Sequence, residues 1–331
     1  MHRPPGRPCA ILNHTMTDKY GRSITYLRIS VTDMCNMRCR YCMPEEGSCE
    51  RRPDEMLTQE ELAMAVRAGA ELGIKKVRLT GGEPLVNKDI ISICEATAAT
   101  DGIEEVVLTT NGVLLPRYAH DLKKAGVSRL NISLDTLQSD KFKYITRIGS
   151  LADTLAGIDA ALDEGFEKIK INAVLIGGFN TDEIADLAEL TVRWPVDVRF
   201  IELMPMYDSG DFGREAFVSS DVVFRALPDL EETGMDGVAR TYTLPGAMGK
   251  IGLISPVTSH FCADCSRMRL TADGKLKPCL HSDLEYSIKG LSYEEMLEQF
   301  KCAVMHKPKW HGELSWSNRS GAGRNMNAIG G

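Results

Sequence analysis

Cys35, Cys39 and Cys42 are the residues whose type and spacing point most clearly to chemistry. The C-x3-C-x2-C pattern places three thiols in one short loop, close enough to bind a single metal centre. A structural zinc ion takes four protein ligands, and iron–sulfur clusters are also usually held by four cysteines. The next cysteine, Cys49, lies outside any usual zinc spacing. The pattern favours an iron–sulfur cluster with one open iron, and zinc remains the alternative.

A second set of three cysteines, Cys262, Cys265 and Cys279, has the spacing C-x2-C-x13-C. His260 and His281 flank this set, and either one would complete a zinc ribbon. Spacing alone therefore leaves zinc and iron–sulfur open.

Basic residues surround the second set and suggest an anionic ligand. Arg267 and Arg269 are two residues apart on a predicted strand and share a face. Guanidinium groups bind phosphates through two parallel hydrogen bonds. With Arg28, Arg78 and Lys170 from other strands, they predict a local polyanion pocket whose guest is a triphosphate.

Composition narrows the class of protein. The chain has 331 residues, a net charge of −7 and a pI near 5.6. This balance argues against nucleic acid or a membrane as the main partner, and no apolar run reaches the ~20 residues of a membrane span. Six of the ten cysteines cluster in two sets, which indicates metal binding in a reducing compartment, so we expect a cytoplasmic protein.

The elements that must position these residues alternate between strand and helix. The pattern predicts strands at 25–31, 76–80, 104–109, 128–134, 168–175 and 197–203, and helices at 58–72, 88–98, 114–125, 152–164 and 181–193. Repeated βα units predict a parallel sheet. Six units are two short of a closed barrel, so we expect a partial TIM-type barrel over residues 18–206. A disordered extension (1–17) precedes it, and a C-terminal domain (207–331) covers its open side.

Every predicted strand carries polar residues where a doubly buried strand should be apolar. Their recurrence predicts one shared pocket, which in α/β barrels lies at the carboxyl ends of the strands. The Gly81–Pro84 loop after the second strand belongs to the same face, and Glu83 is suited to pair with an ammonium group. The polar strand residues are Arg28, Arg78, Thr109, Asn131, Ser133, Lys170, Asn172, Arg199 and Glu202.

The cysteine motif with Tyr41 before its third cysteine, together with the GGEP loop, resembles the radical S-adenosylmethionine (SAM) superfamily. There the open iron binds SAM, and an electron from the cluster yields a 5′-deoxyadenosyl radical. Nearly the whole chain, from about residue 18 to 331, is similar to one family within it, the MoaA-type GTP 3′,8-cyclases. The matching blocks include residues 18–22, 27–33, 77–85, 109–112, 131–135, 199–206, 262–280 and the C-terminal Gly330-Gly331.

This resemblance implies a role for each matching residue. Cys35, Cys39 and Cys42 would hold the radical-generating [4Fe-4S] cluster, and Cys262, Cys265 and Cys279 a second one that binds the guanine end of GTP. The SAM contacts would be Tyr41, Gly82, Ser133 and Met204. The GTP contacts would be Arg28, Arg78, Thr109, Lys170, Arg267, Met268 and Arg269, with the tail Gly330-Gly331 reaching into the active site.

The implied reaction converts GTP to (8S)-3′,8-cyclo-7,8-dihydroguanosine 5′-triphosphate, the first step of molybdenum cofactor biosynthesis. The implied partners are a reductant protein and, downstream, cyclic pyranopterin monophosphate synthase; the chain would be a monomer or homodimer. One alternative is a peptide-modifying radical SAM maturase, but those enzymes usually have more C-terminal cysteines. A non-catalytic nucleic-acid-binding metalloprotein is the other, and the acidic composition opposes it.

Overall fold

Parallel strands form the centre of the fold. The structure is a computed structural model, and it describes residues 16–48, 52–206 and 212–330. The strands are β1 (Tyr26–Ser30), β2 (Lys76–Thr80), β3 (Glu105–Thr110), β4 (Val127–Ser133), β5 (Ile169–Leu175), β6 (Val196–Glu202), β7 (Glu231–Asp236), β8 (Ala239–Thr243), β9 (Ile251–Ile254), β10 (Arg267–Leu270), β11 (Lys275–Lys277) and β12 (Tyr286–Ser287). The helices are α1 (Gln59–Glu71), α2 (Ile90–Ala98), α3 (Leu115–Lys124), α4 (Ser139–Thr146), α5 (Leu151–Asp163), α6 (Ile184–Arg193), α7 (Asp221–Ala226) and α8 (Tyr293–Met305).

The described strands pair in the order β12-β11-β10-β1-β2-β3-β4-β5-β6-β9-β8-β7. The predicted partial, unclosed α/β barrel is confirmed, and its six strands are found within two residues of their predicted ends. The five predicted helices are also present, whereas α4, α7 and α8 were not predicted.

The C-terminal region does more than cover an open side. Its strand β10 pairs in parallel with β1, and its strand β9 pairs in parallel with β6, so it extends the barrel sheet at both edges. The hairpin β7–β8 continues the sheet antiparallel beyond β9, and β11 and β12 continue it beyond β10.

Alternation along the strands separates core from cavity. Leu27, Ile29, Val77 and Leu79 are fully buried in the main apolar core. The residues between them, such as Arg28, line an internal cavity. Helix α1 begins at Thr58, which forms the predicted capping box with Glu61, and its buried face completes the outer core.

The first described residues are ordered. The amide of Met16 donates to the carbonyl of Leu72 at 2.7 Å, and Thr17 forms a β-bridge with Ser23. The predicted disorder of residues 1–17 is therefore wrong for these two, while residues 1–15 lie outside the described residues. None of the described helices is long and apolar enough to cross a membrane.

Helix α5 packs against the loop after β3 through a glycine, which gives a stability test. A Cβ at Gly157 would lie 2.0 Å from the carbonyl oxygen of Gly112. We expect Gly157→Ala to lower the free energy of unfolding by about 2 kcal/mol, because overpacking outweighs the better helix propensity of alanine.

The control is Gly69→Ala in α1, where the nearest atom is the side-chain Cγ1 of Ile74 at 3.3 Å, which can shift. Chemical denaturation of both variants measures the difference. Equal stability of the two variants would contradict the packing argument.

Candidate active site

One cavity runs along the inside of the barrel from end to end. Its volume is about 670 Å³, within the range of small-molecule sites. Gly82 and Asn111 line it where the parallel strands end, whereas Thr25 and Lys75 line it where they begin. All six cysteines of the two sets line the same cavity.

The two cysteine sets lie at opposite ends of this cavity. The first set follows the carboxyl end of β1. Cys262 and Cys265 precede β10, where Arg267 pairs with Tyr26 at the amino end of β1, and Cys279 follows β11, which runs antiparallel to β10 and ends at the same edge. The first set therefore lies on the predicted carboxyl face of the strands, whereas the second set, for which no face was predicted, lies at their amino ends.

The loop of the first set is held by the end of α4. The amides of Arg38 and Arg40 donate to the carbonyls of Thr146 and Ile145 at 3.0 and 2.9 Å. Arg147, which has a positive φ of 64°, donates from Nη1 to the carbonyl of Arg38 at 2.7 Å. The conformation of the metal-binding loop thus depends on a helix that the sequence pattern did not predict.

The thiols of this loop are partly buried and close enough to repel one another as thiolates. Burial raises the pKa of Cys35 to about 11 and that of Cys42 to about 12, and raises the pKa of Cys39 well above its usual value. The Sγ atom of Cys35 accepts a hydrogen bond from the Met37 amide at 3.3 Å. Three such thiols need a compensating positive charge to ionise, and this donor set suits an iron–sulfur cluster with one open iron.

The Gly81–Pro84 loop packs directly on the segment that leads into the cysteines. The Gly82 amide donates to the Thr32 carbonyl at 2.8 Å, and the Glu83 amide to the Met34 carbonyl at 2.8 Å. A Cβ at Gly82 would lie 2.4 Å from the Met34 oxygen, so only glycine permits this approach.

Glu83 has a different role from the one predicted. Its carboxylate accepts hydrogen bonds from Thr110 Oγ1 at 2.7 Å and from the Asn111 amide at 2.7 Å. Burial raises the pKa of Glu83 to about 7. In the structure Glu83 links the loops after β2 and β3, and its oxygens face protein donors rather than an ammonium site.

The four predicted SAM contacts, Tyr41, Gly82, Ser133 and Met204, all line the cavity. The Tyr41 hydroxyl donates to Asp135 Oδ2 at 2.7 Å, and the Val174 amide donates to Asp135 Oδ1 at 2.8 Å. The tyrosine is thereby tied to the strands β4 and β5 and fixes the cysteine loop above them.

Arginines form a cationic wall, which we define as Arg269, Arg28 and Arg78. They lie side by side on β10, β1 and β2, because Arg28 is in register with both neighbours. Burial and mutual repulsion lower the pKa of Arg28 well below its usual value and lower that of Arg269 to about 10.

Several buried polar atoms beside this wall have no hydrogen-bond partner within the described part of the chain. They are Tyr26 Oη, Arg78 Nε, Thr109 Oγ1, Asn172 Oδ1 and Arg267 Nη2. Unsatisfied buried donors are costly and rare in native proteins. An anion bound in the cavity would satisfy the guanidinium donors.

Other predicted pocket residues reach the cavity less directly. The Met268 side chain packs in the apolar core, so the strand presents Arg267 and Arg269 to the cavity but not this methionine. Asn131, with its amide oxygen facing β2, accepts from Arg78 Nη1 at 2.7 Å. Lys170 is 3% exposed and pairs with Asp197 at 3.0 Å and with Asp236.

Glu202 lines the cavity, and its carboxylate also holds neighbouring segments in place. Its buried carboxylate accepts from the amides of Ser220, Val257 and Thr258 at 3.2, 3.1 and 3.0 Å. These bonds hold the segment that leads from β9 to the second cysteine set.

Three histidine rings are in contact beside the second cysteine set, edge-on or tilted to one another. The His311 ring lies 4.8 Å from that of His260 and 4.7 Å from that of His281, centre to centre. His281 Nδ1 is 3.0 Å from Ser320 Oγ, and His260 Nδ1 is 3.2 Å from the Pro256 carbonyl. Burial lowers the pKa of His281 to about 3. His311 was not singled out from the sequence.

Two buried cations that the sequence analysis missed organise this end of the cavity. Lys307 Nζ donates to the carbonyls of Arg267 and Pro278, both at 2.7 Å. Burial acts to raise the pKa of Cys265, but Lys307 and Arg267 outweigh it and lower that pKa. Lys307 lies in no recognisable motif, so its role had no sequence signal.

Arg22 joins the N-terminal segment to the second set. It donates from Nη1 to the Cys262 carbonyl at 2.7 Å, from Nη2 to the Pro308 carbonyl at 2.6 Å, and from Nε to Asp18 at 2.6 Å. The matching block at residues 18–22 was the available signal for it.

The barrel, the three-cysteine loop after β1 and the glycine loop beside it define a radical SAM protein. A family model described as "Radical SAM superfamily" matches residues 29–191, and one described as "Molybdenum Cofactor Synthesis C" matches residues 196–313. The solved structure of Streptococcus suis SuiB bound to S-adenosylmethionine has the same fold, with a TM-score of 0.64 at 15% identity over 86% of this chain and 67% of that one.

The chain belongs to the GTP 3′,8-cyclase family. It is 48% identical to the GTP 3′,8-cyclase of Alkaliphilus oremlandii over 96% of this chain and 100% of that relative. It is 53% identical to the GTP 3′,8-cyclase of Peptoclostridium acidaminophilum over 83% of this chain and 86% of that relative. The family resemblance predicted from the sequence is confirmed, and with it a radical SAM enzyme that uses SAM and an iron–sulfur cluster.

The bond between Tyr41 and Asp135 gives a pH-dependent test. Burial raises the pKa of Asp135 to about 6 from its usual 3.8. Because the pKa of Asp135 is raised in the folded state, its contribution to the free energy of unfolding falls as the pH rises from 3.8 to about 6. At about pH 6 the Asp135 carboxyl group of the folded protein loses its proton. Above that pH the buried carboxylate depends on the tyrosine hydroxyl.

We therefore expect Tyr41→Phe to cost about 1–2 kcal/mol of unfolding free energy at pH 7.5 and less near pH 5.5. Anaerobic denaturation of the cluster-loaded chain at both pH values measures this. Tyr144→Phe, at an exposed position, is the control. A cost that does not change with pH would refute the assigned interaction.

Proposed function

We propose that this chain converts GTP to 3′,8-cyclo-7,8-dihydro-GTP, the first step of molybdenum cofactor biosynthesis. The observation that carries the proposal is the cationic wall between the two cysteine sets. These arginines offer a polyphosphate a local positive charge inside a protein whose net charge is −7. That the polyphosphate is a guanine nucleotide is inferred from the relatives, which are named GTP 3′,8-cyclases.

Cys35, Cys39 and Cys42 would hold the cluster that binds SAM, with Tyr41, Gly82, Ser133 and Met204 around the SAM molecule. When bound, the cluster and SAM would supply a 5′-deoxyadenosyl radical that removes H3′ of the ribose. C3′ would then bond to C8 of guanine, and one further electron from the reductant and one proton would complete the product. The residues of the carboxyl half of the cavity would hold the ribose in position and exclude water. Positioning of this kind can supply a large part of the rate enhancement.

Cys262, Cys265 and Cys279 would hold a second [4Fe-4S] cluster at the guanine end of the substrate. One feature supports this assignment over zinc: all three thiols line the proposed substrate cavity, where an iron left open by a three-cysteine set would meet the guanine. The lowered pKa of Cys265 favours the thiolate that either metal would need.

The arginines would anchor the triphosphate between the two ends. Arg28 and Arg78 offer buried guanidinium groups, and Arg267 offers an unpartnered Nη2 among the described residues. Thr109 adds a hydroxyl on β3, and Lys170 adds a charge on β5. Met268 would contribute through its backbone, since its side chain lies in the core.

A reductant protein must supply the electron, and a cyclic pyranopterin monophosphate synthase would consume the product. Buried thiolate-bound clusters require a reducing compartment, which for this enzyme would be the cytoplasm. The chain would act as a monomer or homodimer.

Reconstitution with iron and sulfide tests cofactors and substrate together. We expect about eight irons per chain, and 5′-deoxyadenosine that forms only when SAM, dithionite and GTP are all present. About four irons with one zinc would mean that residues 262–279 form a zinc ribbon. SAM cleavage that ignores GTP would overturn the substrate and favour another class, such as a peptide.

The C-terminal tail would complete the site. Arg269 Nη1 donates to the Ile329 carbonyl at 3.1 Å and to the Gly330 carbonyl. Gly330 has a φ of 71°, and a Cβ there would lie 2.3 Å from Thr80 Oγ1. The tail therefore runs between β1, β2 and the cationic wall where a larger residue would clash. Gly331 lies outside the described residues.

Deleting Gly330 and Gly331 should lower product formation at least about tenfold while both clusters remain, because the tail orders the pocket rather than binding metal. Gly330→Ala should have a similar effect. Gly323→Ala is the matched control, since Gly323 also has a positive φ but no neighbour within 4 Å of its Cβ. Undiminished turnover of the deletion variant would refute the proposed role of the tail.

A further inference from the structure

The tip of the β7–β8 hairpin places a carboxylate in the cavity, beside cations that could bind an anion. Asp236, the last residue of β7, pairs with Arg199 Nη2 at 2.7 Å and with Lys170 Nζ. Both cations are nearly buried, with side-chain exposures of 9% and 4%, whereas the Asp236 side chain is 40% exposed. A partly exposed anion thus neutralises two buried cations, of which Arg199 lines the cavity as Asp236 itself does.

Other charged groups also lie around Asp236, but none of them replaces its carboxylate as the partner of both Lys170 and Arg199. Asp197 also pairs with Lys170, at 3.0 Å, and it belongs to β6 of the barrel itself. Arg129 adds a further positive charge that lowers the pKa of Asp236, after Lys170 and Arg199. Among these partners, Asp236 is the anion supplied by the hairpin.

The strand that carries Asp236 is exposed along the rest of its length and is held through its pairing with β8. Glu231, Glu232, Thr233, Gly234 and Met235 are exposed, and Met235 reaches 64% exposure. Gly234 and Gly237 have positive φ values of 115° and 64°, and nothing lies within 4 Å of a Cβ built on either. Within the described sheet, β7 pairs only with β8 and forms its edge.

We propose that Asp236 is an autoinhibitory counterion: phosphate groups of the substrate bind Lys170 and Arg199 by displacing its carboxylate, and this frees the hairpin tip. A phosphate oxygen and a carboxylate oxygen compete for the same donors, and a polyphosphate brings more charge. The inference rests on the proposed GTP site, but it needs only a polyphosphate to be tested.

The test compares Asp236→Asn with wild type in anaerobic calorimetry of the cluster-loaded enzyme, with GTP and inorganic triphosphate as probes. We expect both probes to bind about five- to tenfold more tightly to the variant, because no carboxylate has to be displaced. Glu232→Gln removes the same charge from the exposed part of the hairpin and should change little. Asp236→Glu keeps the charge and should behave as wild type.

Hydrogen exchange of residues 231–236 gives a second readout. Exchange should rise when GTP binds wild type, and it should already be raised in Asp236→Asn without nucleotide. Unchanged or weaker binding of inorganic triphosphate by Asp236→Asn, or hairpin exchange equal to that of wild type, would overturn the proposal. If inorganic triphosphate binds as expected but GTP does not bind, the proposed GTP reaction fails while the counterion role stands.

Discussion

The burial of adjacent arginines on neighbouring parallel strands is the constraint on which the rest of the site depends. Arg269, Arg28 and Arg78 are in register on β10, β1 and β2, so their charges cannot separate without breaking the sheet. Buried like charges are costly unless anions or hydrogen-bond acceptors compensate them. The chain supplies part of that compensation itself, through the tail carbonyls on Arg269 and the hairpin carboxylate on Arg199. The remaining donors face the cavity.

The direction of β10 sets the length of the cavity. Because β10 is parallel to β1 and β11 is antiparallel to β10, all three cysteines of the second set lie at the amino end of the strand pair, and the first set lies at its carboxyl end. Five residues of β1 at ~3.3 Å each separate the two ends by about 16 Å. The proposed reaction would use that length to hold a nucleotide between the two cysteine sets, with the arginines alongside it.

Local pattern was enough to predict the six strands of the barrel, because βα repeats with glycine stops have a strong period and clear ends. It was also enough to predict that polar strand residues would share one pocket, and Arg28, Thr109 and Asn172 do line it. It could not predict that β10 inserts beside β1. Strand order between segments some 240 residues apart in sequence depends on long-range packing that no local period records.

The same limit explains which side-chain partners the sequence did not show. Glu83 was predicted to pair with an ammonium group and Glu202 to share the polar pocket, and both line the cavity. In the structure each one accepts hydrogen bonds from backbone amides of a neighbouring segment. Lys307 was missed because its partners are carbonyls of Arg267 and Pro278, and carbonyls have no sequence signature.

These backbone-directed side chains connect the two halves of the site. Arg22 ties the segment before β1 to Cys262, and Lys307 ties the helix α8 end to β10 and to Pro278 beside Cys279. The second cysteine set is therefore fixed to the same strand pair that presents the cationic wall. A shift of β10 along β1 by one residue would turn Arg267 and Arg269 towards the core and Met268 towards the cavity. The parallel register of this one strand pair thus sets, at once, the position of the second cysteine set, the charge of the pocket and the path of the tail.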